Sequence, residues 1–297
     1  MIDIQKAEEQ LRLHLKALTE TIGERSVRIP GNLNKTVEYI LDFYNGIGIR
    51  AWREPYNYEG FEVANVVAEI SSVPDPARRY VLGAHYDSVV GTVGADDNAS
   101  AIAVQLETAR HLKAMIGSKK LDLNLKLVSF ALEEPPAYRT PFMGSRVYAK
   151  NARSEKEKID GMICLEMVGY ACYEPGCQNY PFPLGLLNYP ESGNFIGIVG
   201  NFKSGDFTRA LVNEFQKNDG LPVVKLTVPF NGWIIPPVRL SDHASFWDQG
   251  YKAVMVTDSA FFRNPYYHTS ADTMEKLDYR FMAELVESLL LFFKSHR

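Results

Sequence analysis

The chain has 297 residues, a formal net charge of −4 and 46% apolar residues. That is enough apolar material for one α/β domain covering residues 1–297, and the mild acidity with no long basic run speaks against nucleic acid or an anionic membrane as partner. No apolar run reaches the roughly 18 residues of a membrane span, so no membrane role is expected. The N-terminus, MIDIQKAEEQ, is charged throughout and lacks the apolar core of a secretory signal. It predicts a cytoplasmic protein, although a processed secreted form reads the same. Cys164, Cys172 and Cys177 do not make a disulfide framework, but a Cys172–Cys177 pair across a short loop is sterically open.

Along the chain, Leu11, Leu15, Leu18 and Ile22 recur at near-helical spacing, and residues 34–44 predict a second helix. Residues 49–54 and 62–70 read as extended, with a Pro/Ser turn at 71–76. Residues 79–85 (RYVLGAH) form a buried strand, and Asn98 is placed to cap the helix that follows. Residues 121–132 alternate and then become continuously apolar, as a central strand does, until Pro135 and Pro136 stop them. A helix at 146–153 and a short strand at 161–165 come next. Two irregular insertions, 171–194 and 227–240, flank a strand at 195–199 and a helix at 206–217. A strand at 252–257 and an amphipathic helix at 279–294 complete the chain. Strands alternating with helices predict a mostly parallel, mixed central sheet sandwiched by helices.

Ionisable residues collect where strands end. His85 and Asp87 close the strand at 79–85; the imidazole is a metal ligand type, and a carboxylate beside it fixes its tautomer. A strand-end histidine with a turn aspartate has the same pattern. Asp96 and Asp97 open a helix 11 residues later, which the helix dipole alone favours, yet the turn between lets Asp96 meet His85. Glu133 and Glu134 end a buried strand. Adjacent strand-end residues point opposite ways, which suits one metal ligand and one general base. Glu166 follows the strand GMICLE, and His268 lies in a loop after AVMVTDS. Each signal is weak alone. Five such groups delivered to one edge of a sheet are what a two-metal hydrolytic site requires.

The segments HYDS, GADDNAS, ALEE, LEMVGY and YYHTSADTMEKLD resemble those of metallopeptidase family M28, the zinc aminopeptidases and their relatives, over about residues 60–295. The resemblance implies a zinc-dependent exopeptidase fold and two divalent cations, zinc in the family, acting on a peptide with a free N-terminus. It implies His85 and Glu166 on one zinc, Glu134 and His268 on the other, and Asp96 bridging. Asp87 orients His85, Glu133 is the base and Tyr267 stabilises the oxyanion. It also implies a cis peptide at Asp96–Asp97, a structural Asp97, and a supporting Asp242 in the segment SDH. Glu166 departs from the aspartate of several members, and Ala101 from a common glycine. Two other activities stay open: a glutaminyl cyclase-like zinc acyltransferase and a carboxypeptidase of the same family. The cyclases usually lack the second aspartate of ADDN and carry Trp before the last histidine, where this chain has Asp97 and Tyr267. His14, His111 and His296 are read as surface residues, and Trp233 as either pocket or core.

Overall fold

The computed structural model describes residues 1–71, 76–116, 122–186 and 188–295. Most of the turn at 71–76, together with Leu121 and His296, lies outside them. Eight strands form one mixed sheet: β1 (Arg50–Tyr58), β2 (Phe61–Ser71), β3 (Arg78–His85), β4 (Leu123–Phe130), β5 (Gly161–Glu166), β6 (Ile196–Asn201), β7 (Val223–Val228) and β8 (Ala253–Thr257). Their spatial order is β1-β2-β4-β3-β5-β8-β6-β7. The centre, β4-β3-β5-β8, is parallel. Antiparallel pairings of β2 with β1 and β4, and of β6 with β8, flank it. The parallel block therefore ends on one edge, and every sequence-predicted site residue lies at or beyond that edge.

The central strands are apolar on both faces because helices cover both. Leu82, Leu125, Leu127, Ile163, Val254 and Val256 point into one core. It is shared with α1 (Ile4–Lys16), α2 (Pro30–Gly46), α3 (Ala101–Ile116), α5 (Gly205–Phe215) and α7 (Tyr279–Lys294). Val81, Val128, Phe130, Met162 and Met255 alternate with them into the opposite core, under α4 (Gly144–Ser154) and α6 (His243–Asp248). This period of two is what a doubly covered sheet demands.

Local chemistry sets the helix ends. Asp3 accepts from the Lys6 N–H at 3.1 Å, and Asp278 accepts from the Phe281 N–H at 2.9 Å. Pro30 begins α2, where a missing N–H costs nothing. Gln105 is the polar exception inside α3. Its amide donates to the Leu82 and Val128 carbonyls and accepts from Ser129, so it is buried but satisfied.

Several expectations change. Asn98 does not cap α3; it donates to the Leu165 carbonyl at 3.1 Å and accepts from the Met167 N–H at 3.0 Å, which fixes the loop after β5. The insertion read at 227–240 begins inside β7, and the short helix α6 had no periodic signal. His14 is buried rather than exposed, with Nδ1 2.6 Å from the Tyr39 hydroxyl. His111 is half-buried, its Nε2 2.9 Å from the Glu107 carboxylate. A disulfide joins Cys172 and Cys177. Among the described residues no helix is long and apolar enough to cross a membrane.

Candidate metal centre

Four neighbouring strands of the parallel block feed the site. His85 is the last residue of β3 and Glu166 the last of β5. Glu133 and Glu134 follow β4, and the loop after β8 brings in His268. Asp97 lies in the turn between β3 and α3. Its backbone leaves the helical region (φ −105°, ψ 88°), which aims its side chain at the strand ends. Gly94 makes that turn possible: its φ is +53°, and an added Cβ would collide with the Asp97 carbonyl.

Asp97 is the centre of the cluster. One of its oxygens lies 3.4 Å from His85 Nε2, and the other 3.1 Å from His268 Nε2. His85 Nε2 also faces Glu166 at 3.5 Å, and His268 Nε2 faces Glu134 at 3.3 Å. Two ligand sets result, His85–Asp97–Glu166 and Asp97–Glu134–His268, sharing one carboxylate.

This moves the bridging position from Asp96 to Asp97. Asp96 points the other way, accepting from the Gly169 N–H at 2.9 Å and from Asn264 at 2.6 Å beside Asp258. Burial and the Asp258 carboxylate hold Asp96 well above the ordinary carboxylate range. Its role is therefore to anchor the turn, the role the resemblance had given to Asp97. The cis peptide is likewise one residue further on, at Asp97–Asn98.

The donor set fits a divalent cation. His85 Nε2, Asp97 Oδ1 and Glu134 Oε1 are buried without a hydrogen-bond partner, an arrangement that costs free energy unless a ligand completes it. Metal–ligand bonds of 2.0–2.1 Å in a tetrahedron put ligand atoms about 3.3 Å apart. The four imidazole–carboxylate separations of 3.1–3.5 Å bracket that value.

Supporting groups hold these atoms. Asp87 Oδ1 lies 3.4 Å from His85 Nδ1, and its two oxygens accept from the Glu133 and Glu134 N–H groups, each at 3.0 Å. One carboxylate thus orients the first ligand and fixes the backbone of the other two acids. Ser241 donates to Glu166 at 2.6 Å. Asp242 is buried near the charges of His85, Glu166 and Asp87, and burial chiefly pushes its pKa to about 7. Asp272 accepts from the Asp96 and Asp97 N–H groups at 2.8 and 3.2 Å. It stood in the segment HTSADT, but nothing in its spacing gave it a role.

The electrostatics are those of crowded acids. Burial and the Asp97 charge push Glu134 to about 8. Burial, with Glu166, Glu134 and Asp242 nearby, holds Glu133 well above the carboxylate range against the His85 charge. Burial works against ionising Asp97, yet hydrogen bonds to His268 and His85 and their charges outweigh it and keep it below the usual range. Burial disfavours a charged His268, but Asp97 and Glu134 raise it to about 10.

An apolar cavity of about 110 Å³ opens beside Glu166 and Tyr267. Tyr180, Leu184 and Tyr189 from the first insertion, Val238 and Leu240 from the second, and Met255 from β8 form its wall. Tyr267 stacks on the His268 ring with centroids 3.7 Å apart. Trp233 is 63% exposed and lines not this cavity but a second, smaller one beside it, with the Arg239 guanidinium 4.0 Å over its ring.

The family model described as Peptidase family M28 matches residues 65–293. An Escherichia coli K12 protein, the uncharacterized YfbL, is 36% identical over 95% of this chain and 86% of its own. A probable leucine aminopeptidase of Arthroderma otae is 25% identical over 72% of this chain and 52% of its own, so the chain spans about half of that relative. The LapA aminopeptidase of Legionella pneumophila superposes with a TM-score of 0.70 at 18% identity, covering 99% of this chain and 74% of that one. The glutaminyl cyclase of Tannerella forsythia gives 0.70 at 18% identity, covering 99% of both. At these identities the structural likeness is one of fold, whereas the family model spans most of the sequence: the chain belongs to peptidase family M28.

Proposed function

We propose that this chain is a zinc aminopeptidase, removing the N-terminal residue of peptides with two cations held by His85, Asp97 and Glu166 and by Asp97, Glu134 and His268. The observation that carries this reading is the Asp97 carboxylate, whose two oxygens each face a different imidazole. A single-metal site has no use for that arrangement. Bound there, the cations supply Lewis acidity to the scissile carbonyl and acidify a water.

The chain's own residues do the rest. Asp87 holds the His85 ring in one tautomer and fixes Glu133 and Glu134 through their N–H groups. Glu133 takes the proton from the attacking water and returns it to the leaving amine. Its raised pKa suits a group that must both accept and give a proton. Burial and the nearby acids keep the Tyr267 phenol far above its ordinary range, so it stays an O–H donor for the developing oxyanion. The apolar cavity receives the side chain of the residue being released, which favours large apolar N-terminal residues.

The test is metal analysis of zinc-reconstituted protein together with hydrolysis of aminoacyl anilides and their N-acetylated forms. About two equivalents of zinc are expected, with cleavage of leucyl and phenylalanyl anilides only when the amine is free. Glu133→Gln keeps the metal and lowers kcat by about 1,000-fold, within the range for a lost general base. Less than one equivalent of metal and no anilide cleaved would sink the reading. Cyclisation of N-terminal glutamine without anilide hydrolysis would replace it with the acyltransferase, and equal cleavage of blocked substrates would remove the free-amine requirement.

A further inference from the structure

A second cavity, of about 90 Å³, abuts the candidate centre, and three arginines stand in its wall among Met143, Trp233 and Ala244, where the first has none. Tyr138, Arg139, Arg146, Arg239 and Ser241 line it. Ser241 ties it to the centre through its 2.6 Å hydrogen bond to Glu166. Tyr138 ties it to the other metal set, since its N–H donates to the Glu134 carbonyl at 3.1 Å. The cavity therefore begins one residue away from the candidate ligands. The stretch of residues 237–241 divides the two cavities: Val238 and Leu240 face the apolar one, Arg239 and Ser241 the second.

The three arginines are not equivalent. Arg239 is committed, ion-paired to Asp248 at 2.7 Å and donating to the Asn231 carbonyl at 2.7 Å. Arg139 sits 5.3 Å over the Tyr138 ring, and neither it nor Arg146 has a carboxylate partner among the described residues. Tyr138 adds a buried hydroxyl with no hydrogen-bond partner. Guanidinium groups present several fixed donors that match a carboxylate, and such charge-assisted bonds are among the stronger ones. Two unpaired guanidiniums and an orphaned hydroxyl at one small cavity, in a chain of net charge −4, make a receptor for that group.

We propose that this cavity receives a carboxylate on the leaving-group side of the scissile bond. The inference rests on the aminopeptidase reading, in which the apolar cavity takes the residue before that bond. It makes the enzyme selective for peptides that offer a carboxylate just beyond the bond. Either the C-terminus of a dipeptide or the acidic side chain of a second residue supplies it.

The experiment compares kcat/KM for Leu-Gly against Leu-Gly-amide, and for Leu-Glu-amide against Leu-Gln-amide, in zinc-loaded wild type, Arg139→Gln, Arg146→Gln and the double variant. Wild type is expected to favour one or both carboxylate substrates by about tenfold, the scale of a charge-assisted pair. That ratio falls toward one in the double variant. A preference confined to Leu-Gly assigns the cavity to the terminus; one confined to Leu-Glu-amide assigns it to the side chain. No preference in wild type, or a preference that survives both substitutions, overturns the proposal. Failure of the aminopeptidase reading looks different, because then no free-amine substrate of any kind is hydrolysed. In that event calorimetric binding of Leu-Gly and Leu-Gly-amide still reads the cavity, with the same tenfold gap in Kd expected in wild type and absent from the double variant.

Discussion

Two buried polar regions lie a loop's width apart and are completed in opposite ways. Behind the turn at residues 86–94, Arg25 is fully buried. Its guanidinium makes five hydrogen bonds, to the carbonyls of Tyr86, Leu18, Gly23, Val93 and Gly94, over 2.6–3.2 Å. Each of its three nitrogens donates to at least one carbonyl, Nη1 sharing its two hydrogens among three of them, so no nitrogen of the group is left without a partner. Burial lowers its pKa to about 10, with Asp87, Asp272, Asp97 and Glu134 opposing, so it stays charged at neutral pH. In front of the turn, by contrast, His85, Asp97 and Glu134 keep buried atoms without any partner. A buried charge whose every nitrogen is bonded fixes architecture, whereas a cluster with unpartnered atoms waits for something to bind. Arg25 serves the cluster indirectly by pinning the loop that carries Asp87 and the glycine before the Asp97 turn.

The strongest way to break this contrast is to exchange the two adjacent aspartates. Asp97→Asn is expected to weaken zinc binding by at least about 100-fold, more than losses typical of residues that only support a ligand. It takes turnover with it. Asp96→Asn replaces a carboxyl whose ionisation burial and Asp258 disfavour and which faces away from both imidazoles, so it should retain both metals and cost about 1 kcal/mol of stability. Zinc titration of the two variants decides, and the reverse ranking would return the bridge to Asp96. Next in size is Arg25→Met, which leaves the Tyr86, Gly23 and Val93 carbonyls without their donor, while those of Leu18 and Gly94 keep the Gly23 and Ala99 N–H groups. A loss of about 4 kcal/mol in urea unfolding is expected, in zinc-free and zinc-loaded protein alike. A loss confined to the zinc-loaded form would mean that Arg25 acts through the metal site rather than the fold.

The sequence made some of this legible and hid the rest for identifiable reasons. The last helix was read end to end, because its apolar stripe is a local signal. The strand ends at His85, Glu134 and Glu166 were found because an apolar run that stops at a charge marks where a buried sheet meets solvent. Choosing between Asp96 and Asp97 was a different problem. It turns on the backbone dihedrals of one irregular turn, which residue spacing does not encode. Arg25 left no trace, since Tyr86 and Gly94 stand 61 and 69 residues away and every acceptor is a main-chain carbonyl. Asp258, beside Asp96, escaped for the same reason. β7 lies at the edge of the sheet with a half-exposed pattern, so its periodicity was too weak to separate from the insertion.

His14 supplies the smallest test and limits how far an orphaned atom can be read as a binding site. Its Nε2 is also buried without a partner, but the ring packs edge-on to Phe43 with centroids 4.8 Å apart, and among the described residues no cluster of three metal-ligating side chains includes it. Burial lowers its pKa from 6.5 to about 4; Glu107 opposes this and Arg110 reinforces it. The unfolded chain therefore takes up a proton at a higher pH than the folded one does. The stability that a neutral His14 contributes is complete above pH 6.5 and is lost as pH falls through about 4. Between pH 7.5 and 4.5 the wild type should lose about 2–3 kcal/mol more than His14→Gln, by the pKa difference alone. The site carboxylates titrate in both proteins and cancel in that difference. Parallel pH profiles for the two would mean that His14 is solvated after all, and that the contrast between partnered and unpartnered polar groups does not extend to the helical layer.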